Sequence, residues 1–174
     1  VNVASIVNKG SVFTFELPME IAQGEADDTE SAEIKPHSHK LNILCAEDFE
    51  TNQLIIRTML ENMGHDVEVV ENGKLALNKL IKTDYNLVLM DGRMPEMDGI
   101  EATQVIRQGL WQDQPLINKQ VNIIALTANV TEEDRQRYLA AGMNDFLQKP
   151  VDESLLHQMI NNTIQELLDK GVAL

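Results

Sequence analysis

The sequence predicts an α/β fold: a doubly wound parallel sheet of five strands with five helices, preceded by a short β-hairpin and a linker. Three observations predict it. From Leu41 onward, short apolar runs alternate regularly with segments of helical spacing. The runs are nearly all apolar, as strands covered on both faces of a sheet must be. Polar residues then follow several of these strands directly, where open parallel sheets bind their ligands.

The elements follow in order. Val3–Val7 and Ser11–Leu17 are β-rich and flank Asn8-Lys9-Gly10, which reads as a hairpin. An isolated hairpin is marginal in water, so this one is expected to belong to something larger. Ala22 to Lys40 is polar and acidic with Gly24 and Pro36, the composition of a linker. Leu41–Ala46 is an apolar strand ending in Glu47-Asp48. Thr51–Met63 carries apolar residues at helical spacing. Asp66–Val70 reads as a strand and Lys74–Ile81 as a helix. Asn86–Met90 is an apolar strand ending in Asp91, followed by a helix over Asp98–Gln108. Gly109 to Gln120 reads as an extended loop containing Trp111 and Pro115. Val121–Leu126 is a strand ending in Thr127. Thr131–Ala140 is a helix whose Thr131 and Asp134 make a cap signal. Asn144–Gln148 is a strand ending in Lys149-Pro150, and Ser154–Leu168 is a helix.

Composition excludes several classes of function. Of 174 residues, 43% are hydrophobic, so a core is expected. Lys and Arg number 14 against 28 Asp and Glu, a formal net charge of -14. That argues against nucleic acid and against direct membrane contact, because binding anionic phosphates needs cations. The single Cys45 cannot form an internal disulfide, which fits a reducing, cytoplasmic setting. No apolar run approaches the roughly 20 residues of a membrane helix, and no signal peptide opens the chain.

Glu47, Asp48, Asp91, Thr127 and Lys149 therefore gather on one rim. Three neighbouring carboxylates repel unless a cation joins them. Oxygen-only donors on an open rim suit Mg²⁺, which keeps several waters. A carboxylate beside Mg²⁺ can attack an activated phosphorus and become an aspartyl phosphate. Lys149 offers a point charge for the phosphoryl oxygens and Thr127 a hydrogen-bond donor.

These residues resemble the receiver domain of two-component signalling. The match is carried by Glu47-Asp48, Asp91-Gly-Arg-Met-Pro-Glu-Met-Asp-Gly99, Leu126-Thr127-Ala128 and Phe146-Leu-Gln-Lys149-Pro150. The resemblance implies a flavodoxin-like sheet with strand order 2-1-3-4-5 and a receiver over 41–170. It implies that Asp91 takes a phosphoryl group from a phosphohistidine-bearing kinase domain. Glu47, Asp48, Asp91 and the backbone carbonyl of Arg93 would hold Mg²⁺. Thr127 and Lys149 would bind the phosphoryl oxygens, and Thr127 with Phe146 would form the switch. A cis Lys149–Pro150 bond is implied, and a homodimer is allowed.

Asn8-Lys-Gly-Ser-Val-Phe-Thr-Phe-Glu-Leu-Pro18 resembles the closing strands of the ATP-binding domain of sensor histidine kinases. Residues 1–20 are then a remnant of that domain and 21–40 an acidic flexible linker. The order is that of a hybrid histidine kinase whose ATP site lies outside this sequence. The parent is allowed a membrane anchor, and a histidine phosphotransfer protein is the implied acceptor. The alternatives are a stand-alone response regulator, a pseudo-receiver that only binds partners, and a phosphatase. The last usually carries a second acid two residues after the nucleophile, where this chain has Arg93.

Two departures stand out: Phe49, where hybrid receivers often carry Asn, and the long connection over Gly109 to Gln120. Other side chains have plain readings. His37 and His39 are taken as solvated linker residues and His65 as a surface residue. His157 is assigned to solvent or a partner face, and Cys45 to the core. Trp111 is left between anchoring its own loop and contacting a partner.

Overall fold

The computed structural model describes residues 2–6, 10–14, 37–128 and 131–174. The chain divides into two compact units, Val1–Glu33 and Ile34–Leu174. In the first, β1 (Asn2–Ile6) pairs antiparallel with β2 (Gly10–Thr14). This is the expected hairpin; its continuation to Leu17 and the linker up to Pro36 lie outside the described residues.

The second unit holds one five-stranded sheet. Its strands are β3 (Asn42–Ala46), β4 (Asp66–Val70), β5 (Leu87–Asp91), β8 (Asn122–Thr127) and β9 (Asp145–Gln148). They run parallel in the order β4-β3-β5-β8-β9, the expected 2-1-3-4-5 arrangement. Five helices connect and cover them: α1 (Glu50–Asn62), α2 (Gly73–Leu80), α3 (Gly99–Gln108), α4 (Glu132–Ala141) and α5 (Glu153–Asp169).

Strand periodicity sorts the core into two layers, because successive side chains point to opposite faces. Leu44, Ala46, Val88, Met90, Ile123 and Ala125 pack with Ala76 and Leu77 of α2, Ala102 and Ile106 of α3, and Tyr138 of α4. Ile43, Cys45, Leu87, Leu89, Ile124 and Leu126 pack with Ile56 and Leu60 of α1 and Leu156 and Ile160 of α5. Side chains such as Leu44, Leu87 and Ile160 are fully buried, each contributing about 1.5–3 kcal/mol relative to exposure.

Helix starts follow local capping chemistry. The side chains of Asn72, Asp98, Thr131 and Asp152 each accept the backbone N–H three residues on. The Thr131–Asp134 signal is realised in both directions, since the Thr131 hydroxyl also donates to Asp134 Oδ2 at 2.8 Å. Helix α1 has Phe49 at its N-cap position and no side-chain cap.

The long connection is more ordered than expected. Leu110–Trp111 (β6) and Gln114–Pro115 (β7) form a small antiparallel hairpin. Its turn residues Gln112 and Asp113 both hold positive φ, 48° and 61°. Neither is the Gly or Asn that usually announces such a turn, which is why the sequence reads as a loop. Trp111 is anchored, its Nε1 donating to Asn78 Oδ1 at 3.0 Å.

The histidine assignments need correction. His65 is buried at 4% exposure, and its Nδ1 accepts the Leu41 amide at 3.2 Å. His37 is half-buried rather than solvated; its amide donates to Met63 O at 3.0 Å, and its ring stacks on those of His65 and His157. Stacking between rings distant in sequence leaves no local pattern to read.

Candidate phosphoacceptor site

The rim predicted from the strand ends exists. Strand β3 ends before Glu47 and Asp48, β5 ends on Asp91, β8 ends on Thr127, and β9 ends just before Lys149. In-register pairing of β3, β5 and β8 brings these ends side by side. Carboxylate oxygens of Glu47, Asp48 and Asp91 lie within 4.8 Å of one another.

Burial differs within the trio. Glu47 is fully buried, Asp91 is 6% exposed, and Asp48 is exposed. Lys149 bridges the two buried acids, its Nζ lying 2.6 Å from Asp91 Oδ2 and 2.5 Å from Glu47 Oε2. The Asp91 contact is a hydrogen bond. The Glu47 contact is an ion pair that sets the Lys149 ammonium against the buried Glu47 Oε2. Asn52 holds the other oxygen, donating to Glu47 Oε1 at 2.8 Å, while Gln53 donates to the Glu47 backbone carbonyl at 2.6 Å.

The electrostatics favour an added cation. Three carboxylates against one ammonium leave two negative charges at the rim. Burial raises the Asp91 pKa above its ordinary value, although the Lys149 hydrogen bond and the Arg93 amide act the other way. Burial also opposes the charge on Lys149, but its bonds to Asp91 and Glu47 outweigh that and raise its pKa. The Asp91 acid is therefore reluctant to ionise and the Lys149 amine reluctant to deprotonate. Hard carboxylate oxygens of net negative charge, clustered within 4.8 Å of one another, match what Mg²⁺ requires.

The other predicted residues fall around this centre. Arg93 has an exposed side chain, and its amide donates to Asp91 Oδ1 at 3.1 Å. Thr127 Oγ1 accepts from the Tyr138 hydroxyl at 3.2 Å, and the Thr127 carbonyl accepts the Lys149 amide at 2.7 Å. Phe146 is half-buried against the core, with the Arg135 guanidinium carbon 5.9 Å from its ring centroid. Lys149–Pro150 is cis. A cleft of about 310 Å³ opens here, lined by Asp91, Arg93, Thr127, Asp134, Tyr138 and Lys149.

Sequence reasoning missed Tyr138 and Asn52. Tyr138 lies about two helical turns beyond the Thr131 cap, and its hydroxyl reaches Thr127 only once α4 is packed against α3 and β9. Asn52 lies in the first turn of α1, where its amide reaches back to Glu47. Two glycines make room for this arrangement. A Cβ at Gly92 would meet the Tyr138 hydroxyl at 2.5 Å, and one at Gly99 would meet the Asp91 carbonyl oxygen at 2.2 Å.

Known proteins resemble this chain in sequence and fold. The aerobic respiration control sensor protein ArcB of Escherichia coli K12 is 36% identical over 161 residues, covering 92% of this chain and 20% of that protein. The chain thus spans about a fifth of the length of this curated relative. The receiver domain of the sensor histidine kinase PA1611 from Pseudomonas aeruginosa, solved with a magnesium ion in its active site cleft, is 38% identical. It superposes with a TM-score of 0.64 over 73% of this chain and 99% of its own. The receiver domain of Ssk1 from Saccharomyces cerevisiae, solved with the histidine phosphotransfer protein Ypd1, is 32% identical with a TM-score of 0.60, covering 70% of this chain and 86% of that one. The model of the response regulator receiver domain matches residues 43–161, so the chain belongs to the receiver domain family.

Proposed function

We propose that this receiver is the phosphoacceptor of a hybrid histidine kinase in a phosphorelay. The observation that carries the proposal is the bridging of Asp91 and Glu47 by Lys149, beside Asp48 and Thr127, at the carboxyl ends of the sheet. One Asp91 carboxylate oxygen attacks the phosphorus of a phosphohistidine. The new O–P bond forms as the P–N bond breaks, and the departing electron pair returns to the imidazole nitrogen. The same exchange in reverse passes the group to a histidine phosphotransfer protein, and attack by water ends the signal.

Glu47, Asp48, Asp91 and the Arg93 carbonyl would hold Mg²⁺. When bound, the ion offsets carboxylate repulsion and screens the phosphoryl oxygens. Lys149 exchanges part of its grip on Asp91 for a phosphoryl oxygen, and the Thr127 hydroxyl donates to another. Donation by Thr127 pulls on its contact with Tyr138, and Phe146, half-buried beside α4, repacks with it. Phe49, Leu54 and Ile55 of the α1 start are exposed at 65%, 65% and 45%. They form an apolar landing area for the transfer partner next to the rim.

Residues 1–20 are assigned to the end of the kinase ATP-binding domain, 21–40 to the acidic linker and 41–170 to the receiver. The kinase activity then belongs to the parent protein, and this chain catalyses only its own phosphorylation and dephosphorylation. Among the described residues no helix is long and apolar enough to cross a membrane.

Incubation with a purified, radiolabelled phosphohistidine phosphotransfer protein tests the relay. Label should move to this chain, return to unlabelled transfer protein, and be lost in Asp91→Ala. Label that reaches Asp91 yet never returns to histidine removes the relay and leaves a terminal receiver.

A further inference from the structure

Three histidines distant in the chain meet where the receiver begins. His37 lies just before β3, His65 in the turn between α1 and β4, and His157 on α5. Ring centroids are 4.8 Å apart for His37 and His65 and 4.1 Å apart for His37 and His157. The hydrogen bonds fix the protons. The Leu41 amide donates to His65 Nδ1, so that nitrogen carries a lone pair and the neutral ring holds its proton on Nε2. His65 Nε2 lies 3.0 Å from His37 Nδ1, which must therefore accept. The His37 proton then sits on Nε2, 3.3 Å from the backbone carbonyl of His157. The bonds run one way, from Leu41 through two neutral imidazoles to α5.

Such a relay has no place for another proton. A proton added to His65 Nδ1 faces the Leu41 N–H, and one added to His37 Nδ1 faces the His65 N–H. Either converts an acceptor into a second donor and breaks a bond. We propose that the relay is a proton-opened latch that holds residues 37–40, through which the linker enters the receiver, against α5 and the α1–β4 turn. The device is independent of the phosphoacceptor chemistry.

The surrounding charges do not cancel this effect. From the α1–β4 turn, the stack faces Asp66, already engaged by Lys40 of the entering segment at 2.8 Å. From α5, it faces His157, whose Nδ1 lies 3.2 Å from Asn161 Nδ2. Burial first, then His37, His157 and a weaker opposing pull from Asp66, place His65 at about 4. Burial and His157 lower His37 as well, against two backbone hydrogen bonds. A base depressed in the latched state takes up protons on release, so acid favours release. The latch is fully held above the ordinary value of 6.5 and weakens as pH falls from there toward about 4. The ratio of released to latched molecules rises by up to about tenfold per pH unit for each histidine.

The test is an NMR titration of histidine rings and backbone amides in the full chain from pH 8 to 3.5, with EDTA to remove adventitious metal. We expect His37 and His65 to titrate below 6.5, with the Lys40 and Leu41 amides moving at the same midpoint and the sheet amides unmoved. His37→Phe keeps a ring in the stack but takes no proton, and should abolish the pH response of those amides. Ordinary independent titration of both rings, amides over 38–41 that stay fixed throughout, or a wild-type response in His37→Phe would overturn the latch.

Discussion

At the residue scale, the site depends on how closely the backbone approaches itself beneath Asp91. Gly99 opens α3 directly under the phosphoacceptor, and a methyl group there would sit 2.2 Å from the Asp91 carbonyl oxygen and 2.8 Å from Met90 Cγ. The first neighbour is backbone and cannot rotate away, so strand and helix must separate. Gly99→Ala is expected to cost roughly 1–3 kcal/mol, the usual range for overpacking. It should also slow phosphorylation of Asp91, because the displaced backbone carries the carboxylate away from Lys149. Thermal denaturation together with phosphorylation kinetics checks both parts; a variant with unchanged melting and rate would show that the contact relaxes freely. The same crowding explains Gly92, whose missing Cβ leaves room for the Tyr138 hydroxyl to reach Thr127.

At the scale of elements, four of the receiver helices start on a side-chain cap and α1 does not. Phe49 occupies the cap position with extended φ and ψ of -100° and 113°, the geometry a capping residue uses, and its ring is 65% exposed. Asn there should satisfy an orphan N–H of the first turn while giving up little buried area. Phe49→Asn is therefore expected to stabilise the receiver by about 1 kcal/mol, read as a higher urea midpoint with unchanged slope. A lower midpoint would mean that the ring contributes to packing. Legibility also divides by element. The strands of the receiver and their helices are written in short-range periodicity, and the caps Thr131 and Asp134 in local pairs. The β6–β7 hairpin escapes because Gln112 and Asp113 adopt left-handed backbone without the Gly that most clearly marks such a turn. Thr127 and Lys149 are visible as strand-end residues; Tyr138 and Asn52 are visible only once α4 and α1 are placed.

At the scale of the whole receiver, long-range contacts decide what sequence cannot show. Arg107, near the end of α3, donates to the carbonyls of Gly142, Lys119 and Val121 and to Asn144 Oδ1, all at 2.8–2.9 Å. It thereby ties α3 to the segments that enter β8 and β9. The His37–His65–His157 stack ties the incoming chain to α5 in the same way. Local sequence shows neither the Arg107 contacts nor the histidine stack, and only tertiary structure gives these side chains their partners. The rim escapes this limit because a parallel sheet aligns strand ends by topology, so residues far apart in sequence become neighbours by rule.

The central claim is that Asp91 is a Mg²⁺-dependent phosphoacceptor. Intact mass after incubation with acetyl phosphate, with and without Mg²⁺, tests it most directly. The site described here predicts one base-labile phosphoryl adduct that requires Mg²⁺ and is absent in Asp91→Ala. An adduct that persists in Asp91→Ala, or no adduct on folded protein supplied with Mg²⁺, would contradict it.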